Sequence, residues 1–196
     1  MAKVTWNSPA MAAALVRCSD FQPLYHICRM PVPLPDDQAW MAEALKLAHA
    51  AELAGEVPVG AVVVSADGRL LGRGYNRTLL DVDPSAHAEI VALREAAWKL
   101  GNHRLLGCVV YATIEPCVMC AGALIQARVA RLVYGADEPK AGAIRSIPTL
   151  ARHPALNHQF EVTAGVRAAE CGKLVRQFFQ QRRTTSGKDA ERWPSG

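Results

Sequence analysis

Four residues that could bind zinc or move protons lie in two short segments of this chain. His87 and Glu89 flank a single alanine, and Cys117 and Cys120 lie three positions apart just after a proline. Imidazole and thiolate are common zinc ligands, and three protein ligands leave the fourth tetrahedral position to water, whose pKa the metal lowers toward neutrality. The spacing therefore predicts a hydrolytic zinc site on His87, Cys117 and Cys120, with Glu89 as the proton shuttle.

The two cysteines belong to a predicted helix over residues 117–128. Pro116 suits the first position of a helix, and residues three apart lie on one helical face. The helix dipole and the free N–H groups of a helix N-terminus favour the thiolate form that binds zinc. Cys117 and Cys120 can therefore reach the same ion.

Each half of this pattern also has a less specific interpretation. A lone C-x-x-C is found in redox pairs and in halves of structural zinc fingers, and a lone histidine on a helix is more often a surface or core residue. The combination of H-x-E with P-C-x-x-C is typical of zinc-dependent nucleobase deaminases, in which the glutamate moves protons between activated water and the base. We favour this interpretation because both halves occur in the expected order.

The composition indicates one globular domain. The chain has 196 residues, of which 51% are hydrophobic, and a net charge of +4, which suits a polyanionic partner without requiring one. No apolar stretch reaches the roughly 18 residues of a membrane span, and we find no convincing secretory signal. We expect a protein without membrane contact whose six cysteines remain reduced in the cytoplasm.

Periodicity and turn residues predict alternating helices and strands. The expected helices cover residues 36–55, 86–100, 117–128 and 168–183, and the expected strands cover residues 59–65, 69–75, 108–113, 131–135 and 160–163. Asp36 is the predicted N-cap of the first helix, and Ile90, Leu93 and Ala97 form the predicted apolar stripe of the second. Strand, helix and strand between residues 108 and 135 imply a parallel pair.

These elements predict a three-layer α/β/α sandwich around a central mixed five-stranded sheet. We expect the domain to cover residues 36–183. Residues 1–35 contain alternating prolines and are predicted to be a poorly ordered extension or linker, and residues 184–196 to be a polar tail.

Over residues 36–183 the sequence resembles the bacterial tRNA-specific adenosine deaminases, within the cytidine deaminase-like superfamily. The stretches that carry the resemblance are Val57-Pro58-Val59-Gly60-Ala61, Tyr75-Asn76-Arg77, Asp83-Pro84-Ser85-Ala86-His87-Ala88-Glu89-Ile90, Asn102-His103-Arg104-Leu105, the segment from Glu115 to Gly122, Asn157-His158 and Phe178-Phe179. The resemblance implies conversion of adenosine to inosine at the wobble position of a tRNA anticodon. It further implies one Zn²⁺ per subunit, a homodimer, and an arginine tRNA as the substrate.

The resemblance also implies residues that bind the substrate. Asn76 would hydrogen-bond the flipped base in a pocket lined by Pro58, Val59 and Ile114, although an asparagine at a strand end can also simply stabilise a turn. Glu115 is expected only to anchor the loop before its helix.

Contacts with the RNA are implied at five positions, namely Glu138, Lys140, Phe179, Arg182 and Arg183. Arginines neutralise phosphates and an aromatic ring can stack on a splayed base. Phe178 and Phe179 are also typical of a helix core, and the arginines of a solvated helix end. Glu138 replaces the aspartate that is usual in the family, and residues 142–146 replace a smaller segment, so both changes bear on substrate fit.

Two other functions remain open. The same zinc site would serve a deaminase of guanine or of another free nucleobase or nucleoside. A non-catalytic RNA-binding partner subunit with structural zinc is the other alternative, but such partners tend to lose the glutamate that is present here as Glu89. We expect Cys108 and Cys171 to be core residues.

Overall fold

The structure is a computed structural model that describes residues 36–146 and 156–190, with side chains described up to residue 183. The predicted extension over residues 1–35 lies outside the described residues. Within them, the chain forms helices α1 (Asp37–Leu53), α2 (Ala88–Leu100), α3 (Val118–Ala127) and α4 (Ala168–Ala190), and strands β1 (Gly60–Val64), β2 (Leu70–Tyr75), β3 (Val109–Ile114), β4 (Arg131–Ala136) and β5 (Glu161–Ala164).

The five strands form one mixed sheet in the order β2-β1-β3-β4-β5. Strand β1 runs antiparallel to both β2 and β3, whereas β3, β4 and β5 run parallel to one another. The predicted mixed five-stranded sheet is therefore confirmed, as is the parallel pair that α3 connects. The carboxyl ends of parallel strands lie at the same edge of a sheet, so Ile114 and Ala136 end side by side there.

Helices cover both faces of the sheet, which confirms the three layers. Helices α1 and α4 share one buried apolar cluster with the sheet, to which they contribute Met41, Ala44, Leu45, Ala48, Cys171 and Leu174. Helices α2 and α3 share the other, to which they contribute Ala88, Ala92, Leu93, Ala96, Ala121, Leu124 and Ile125. Buried Cys108 and Cys171 belong to these clusters, as predicted.

Helix α2 buries a different face from the predicted one. Leu93 is buried, but Ile90 and Ala97 are only partly buried, and the helix instead packs through Ala88, Ala92 and Ala96. The reason lies in the facing strand, where a Cβ added at Gly72 or Gly74 would collide with the α2 backbone. Glycines opposite alanines let the strand and the helix approach closely, which holds the first turn of α2 against the sheet.

The start of α1 agrees with the prediction, whereas the start of α3 and the end of α4 differ from it. Asp36 caps α1 as predicted, since its carboxylate accepts hydrogen bonds from the backbone of Gln38 and Ala39. Pro116 precedes the N-cap of α3 instead of opening the helix. Helix α4 continues to Ala190, beyond the predicted end at residue 183, because each further residue of an existing helix gains a hydrogen bond at little cost.

A polar network joins α1 to the amino ends of the parallel strands. Arg131 forms an ion pair with Asp37 at 2.6 Å and donates to the Thr163 hydroxyl, and the Tyr111 hydroxyl donates to Asp37. This network lies at the end of the parallel strands opposite to Ile114 and Ala136, so it stabilises the fold away from the predicted zinc ligands. Over residues 36–146 and 156–190, no helix combines the length and apolar composition needed to cross a membrane.

Candidate active site

The structure brings His87, Cys117 and Cys120 together as predicted. Their ligand atoms all lie within 4.8 Å of one another, and Nδ1 of His87 is 3.7 Å from Sγ of Cys117 and 3.6 Å from Sγ of Cys120. A tetrahedral zinc ion with Zn–S of about 2.3 Å and Zn–N of about 2.0 to 2.1 Å separates its sulfur and nitrogen ligands by about 3.6 Å. Both the donor types and their spacing therefore fit zinc.

Two of the three ligands occupy helix N-cap positions. His87 precedes α2 and Cys117 precedes α3, and both have extended backbones. N-cap side chains usually accept a hydrogen bond from their own helix, but neither of these does. Their side chains therefore point to a common centre, and the free N–H groups of both helix starts favour negative charge there.

The surroundings of Cys117 favour its thiolate form. The pKa of Cys117 falls to about 3, because the Cys120 thiol donates to its sulfur and His87 stabilises the thiolate in the same way. That hydrogen bond to Cys117 and burial raise the pKa of Cys120. A zinc ion held by these residues would favour the thiolate form of both cysteines, the form in which cysteine binds the metal.

Glu89 lies beside this cluster in the first turn of α2, as predicted. Its side chain is only 4% exposed, and burial raises its pKa above the usual range of a carboxyl group. A carboxyl group that binds a proton more tightly than usual is suited to take one from water and to return it.

A cavity of about 280 Å³ opens beside the cluster, near the lower end of the roughly 300 to 1,000 Å³ typical of small-ligand pockets. Its wall contains His87, Glu89 and Cys117, together with the predicted Asn76, Val59 and Ile114. Pro58 is buried but does not line the cavity, whereas its neighbour Val57 does. The size and the mainly apolar wall suit a flat heterocyclic base.

Asn76 serves the fold and also faces the cavity. Its Oδ1 accepts a hydrogen bond from the backbone N–H of Ala88 at 3.0 Å, which agrees with the structural role we kept open. Among the described residues, its amide nitrogen has no acceptor. That nitrogen therefore remains able to donate to a ligand in the cavity.

Glu115 anchors the loop that follows β4, and not the loop before α3 for which we predicted it. Its carboxylate accepts backbone hydrogen bonds from Glu138, Ile144, Arg145 and Ser146, as well as one from the Ser146 hydroxyl. Burial alone would raise the pKa of Glu115, but these hydrogen bonds lower it to about 2. The carboxylate therefore stays ionised and holds the loop against the cavity.

Of the five positions expected to contact RNA, two lie at the cavity. Glu138 lines it, and its carboxylate accepts a hydrogen bond from the backbone of the exposed Lys140. Phe179 also lines it and is 44% exposed, whereas the neighbouring Phe178 is buried. The structure thus separates the two phenylalanines into a core residue and a residue at the cavity mouth.

The two arginines at the end of the described side chains differ from each other. Arg182 donates to the backbone carbonyl of Gly55, and its guanidinium lies 4.8 Å from the centre of the Phe178 ring. Arg183 is exposed and makes no hydrogen bond or ion pair with the described residues. Arg182 therefore ties α4 to the end of α1, whereas Arg183 faces solvent.

Comparison with known proteins identifies the family. The MafB19-like deaminase family model matches residues 35–183. The chain belongs to this family. It is 48% identical over 147 residues to the tRNA-specific adenosine deaminase of Haemophilus influenzae, which covers 75% of this chain and 85% of the relative.

Two solved structures relate the fold to deaminases with different substrates. One is a tRNA:A34 deaminase that performs A-to-I editing at the wobble position of transfer RNA, with 43% identity, a TM-score of 0.67, and coverage of 69% of this chain and 98% of that chain. The other is the guanine deaminase from Nitrosomonas europaea, with 31% identity, a TM-score of 0.63, and coverage of 74% and 85%. The fold is therefore common to a tRNA deaminase and a guanine deaminase.

Several residues of the deaminase cavity were missed by the sequence analysis. Val57, Thr78, Ala141 and Val175 also line it, as does Glu115. Each is close in sequence to a predicted residue; for example, Val175 precedes Phe179 by one helical turn. Closeness in sequence to a predicted residue could have indicated these positions. The loop conformations that turn Thr78 and Ala141 inward could not be derived from the sequence.

Proposed function

We propose that this protein hydrolytically deaminates adenosine to inosine at the wobble position of a tRNA anticodon, releasing ammonia. The observation that carries the proposal is that the buried Glu89 lines the same cavity as His87 and Cys117. This arrangement joins a proton-transfer group to a metal-ligand set beside a space for a base. The similarity to tRNA-specific adenosine deaminases supports the choice of substrate.

The roles of the residues follow from their positions. Zinc, when bound, lowers the pKa of a water molecule and so makes it nucleophilic at neutral pH. Glu89 accepts one proton from the attacking water and delivers it to N1 of adenine as the water oxygen bonds to C6. It then transfers the second proton, from the hydroxyl added to C6, to the amine, which leaves as ammonia. The amide nitrogen of Asn76 donates to an acceptor on the base, and Val59 and Ile114 contact its apolar faces.

RNA around the target base would reach the mouth of the cavity. Phe179 there offers an exposed ring for a neighbouring base, and Lys140 and Arg183 offer exposed cations for phosphates. Glu138 lies at the same mouth and would shape the fit. An arginine tRNA is the expected substrate, and the cytoplasm is where the protein would meet it.

Direct detection of inosine tests the proposal. The protein is incubated with a wobble-adenosine tRNA, with its isolated anticodon stem-loop, and separately with guanine and adenosine. We expect inosine in both RNAs and none after Glu89→Gln, which keeps the size of the side chain but cannot accept the proton. Ammonia release from guanine alone would favour the free-base alternative, which the fold of the guanine deaminase motivates.

The same experiment addresses the non-catalytic alternative. A partner subunit with structural zinc would form no inosine either as the wild-type protein or as the Glu89→Gln variant, and both proteins would bind RNA equally. The burial of Glu89 in the cavity wall argues against this alternative, because an unused buried carboxyl group only destabilises the fold.

We also propose a homodimer, with both sites near the interface. Between α2 and α3 lies an open apolar groove of about 310 Å³, lined by Ile90, Leu93, Ala97, Leu105, Ala123 and Ala127 among others. Since these two helices begin beside His87 and Cys117, a second copy packed on them would lie close to the zinc site. Light scattering of the purified protein, compared with an Ala123→Glu variant, tests this assembly.

A further inference from the structure

A third buried glutamate, Glu56, lies outside the cluster of His87, Cys117 and Cys120. Its side chain is fully buried, and it accepts hydrogen bonds from the backbone N–H groups of Leu79 at 2.7 Å and Leu80 at 2.8 Å and from the Thr78 hydroxyl at 3.1 Å. Among the described residues it forms no ion pair. All the hydrogen bonds that compensate its burial therefore come from one loop.

The end of α1 fixes the position of Glu56. Gly55 has a φ of +78°, and the backbone N–H groups of Gly55 and Glu56 donate to Glu52 and Ala51. This is the Schellman arrangement, in which a residue with left-handed backbone ends the helix and orients the next one. The carboxylate is thus held by a rigid helix end and not by a flexible segment.

The loop that Glu56 holds forms part of the cavity wall through Thr78. Its two ends are tied to each other, since the backbone of Ala88 donates to Asn76 and the backbone of Arg77 donates to Ala86. Between these ties, the large apolar residues Leu79, Leu80 and Val82 are 64%, 56% and 88% exposed. Apolar packing therefore does not hold the middle of the loop. Bonds within the loop, such as the one from the Asp81 N–H to Arg77, shape it, and the bonds to Glu56 join it to the end of α1.

Three donors of the loop depend on the residue type at position 56. A buried ion pair can often be replaced by apolar residues without loss of stability, but leucine here would leave the backbone N–H groups of Leu79 and Leu80 without their acceptor. A carboxylate offers instead two oxygens that fix three donors at defined places. We propose that Glu56 is a positioning residue that holds Thr78 and the adjoining Asn76 in the geometry that binds the base of a polynucleotide substrate, an inference that rests on the proposed function.

Three substitutions separate these roles. Glu56→Gln keeps Oε1 for both backbone donors, and its amide nitrogen can donate to the rotatable Thr78 hydroxyl, so we expect wild-type behaviour. Glu56→Asp keeps the charge but shortens the side chain by about 1.5 Å, which takes the carboxylate out of reach of the loop. Glu56→Leu keeps the volume and removes every acceptor.

Steady-state inosine formation on a wobble-adenosine stem-loop is the functional readout, and hydrogen exchange at Leu79 and Leu80 is the local one. We expect Glu56→Asp and Glu56→Leu to raise KM roughly tenfold, with kcat within about twofold of wild type, as expected for lost positioning bonds. Exchange at both amides should accelerate in these variants. Glu56→Gln should match wild type in both measurements.

Asp37→Leu is the matched control, because Asp37 is another hydrogen-bonded carboxylate that lies in the network around Arg131. We expect it to lower the melting temperature without changing KM. An equal rise of KM in Asp37→Leu, or in Glu56→Gln, would overturn the inference, as would an unchanged KM in both Glu56→Asp and Glu56→Leu. A wild-type protein that forms no inosine would instead overturn the proposed function, and this inference with it.

Discussion

The side-chain oxygen of Asn76 accepts a hydrogen bond from the backbone N–H of Ala88 at 3.0 Å. This bond joins the end of β2 to the first residue of α2, one position before Glu89. It therefore fixes the distance between Asn76, which contacts the base in our proposal, and Glu89, which moves protons. A substitution at Asn76 can therefore change either the contact with the base or the position of the start of α2.

Asn76→Asp and Asn76→Ala separate the two effects. Aspartate retains an acceptor for Ala88 but loses the amide donor, whereas alanine loses both. We expect both variants to lower kcat/KM for the stem-loop by about tenfold or more. Only alanine should also destabilise the fold, by about 1 kcal/mol or about 2 to 4 °C in melting temperature.

The measurements are melting curves and steady-state kinetics on the same preparations. Wild-type kcat/KM in Asn76→Asp would mean that the amide nitrogen makes no contact with the base, and Asn76 would then have only its structural role.

Zinc content gives a second prediction. We expect one zinc ion per subunit by elemental analysis, and Cys120→Ser to lose most of it, because the serine hydroxyl is a far weaker ligand than thiolate. Cys171→Ser is the control, since Cys171 is equally buried but packs in the core on α4, with its pKa raised by burial to about 11. It should keep the zinc. Equal zinc loss in both variants would point to general unfolding instead of ligand loss.

A third prediction concerns the loop that Glu115 anchors. A Cβ added at Gly142 would collide with the Glu115 carboxylate and with the backbone carbonyl of Glu138. Gly142→Ala should therefore displace the loop and raise KM for RNA, with a stability loss of about 1 to 3 kcal/mol.

Gly122 on α3 provides the matched control for this substitution. A Cβ there meets nothing within 4 Å, and alanine favours a helix over glycine by about 0.5 to 1 kcal/mol. Gly122→Ala should leave KM unchanged and be neutral or slightly stabilising in melting curves. An unchanged KM in Gly142→Ala would show that the loop tolerates the shift without affecting RNA.

The grouping of three possible zinc ligands could be predicted because its information is local. His87, Cys117 and Cys120 lie within short motifs at helix starts, and both the residue types and the element order are visible in the sequence. The buried face of α2 could not be predicted in this way, since it depends on Gly72 and Gly74 of a different element.

Glu56 illustrates the same limit more strongly. A glutamate after a helix-ending glycine is usually a solvent-exposed residue, and only the tertiary structure shows that a loop more than twenty positions away donates to it. Buried polar residues whose partners are distant in sequence carry no periodic signal.

The fourth prediction uses the adjacent arginines at the end of α4 to separate stability from RNA contact. Arg182 is engaged with Gly55 and Phe178, so Arg182→Ala should lower stability by about 1 kcal/mol. Arg183 has no such contact with the described residues, so Arg183→Ala should leave the melting temperature unchanged and weaken stem-loop binding. Removal of one phosphate contact should also reduce the slope of log affinity against log salt by roughly 0.7 to 0.9. Titrations at several salt concentrations measure this slope, and an unaltered slope in Arg183→Ala would exclude Arg183 from the RNA-binding surface.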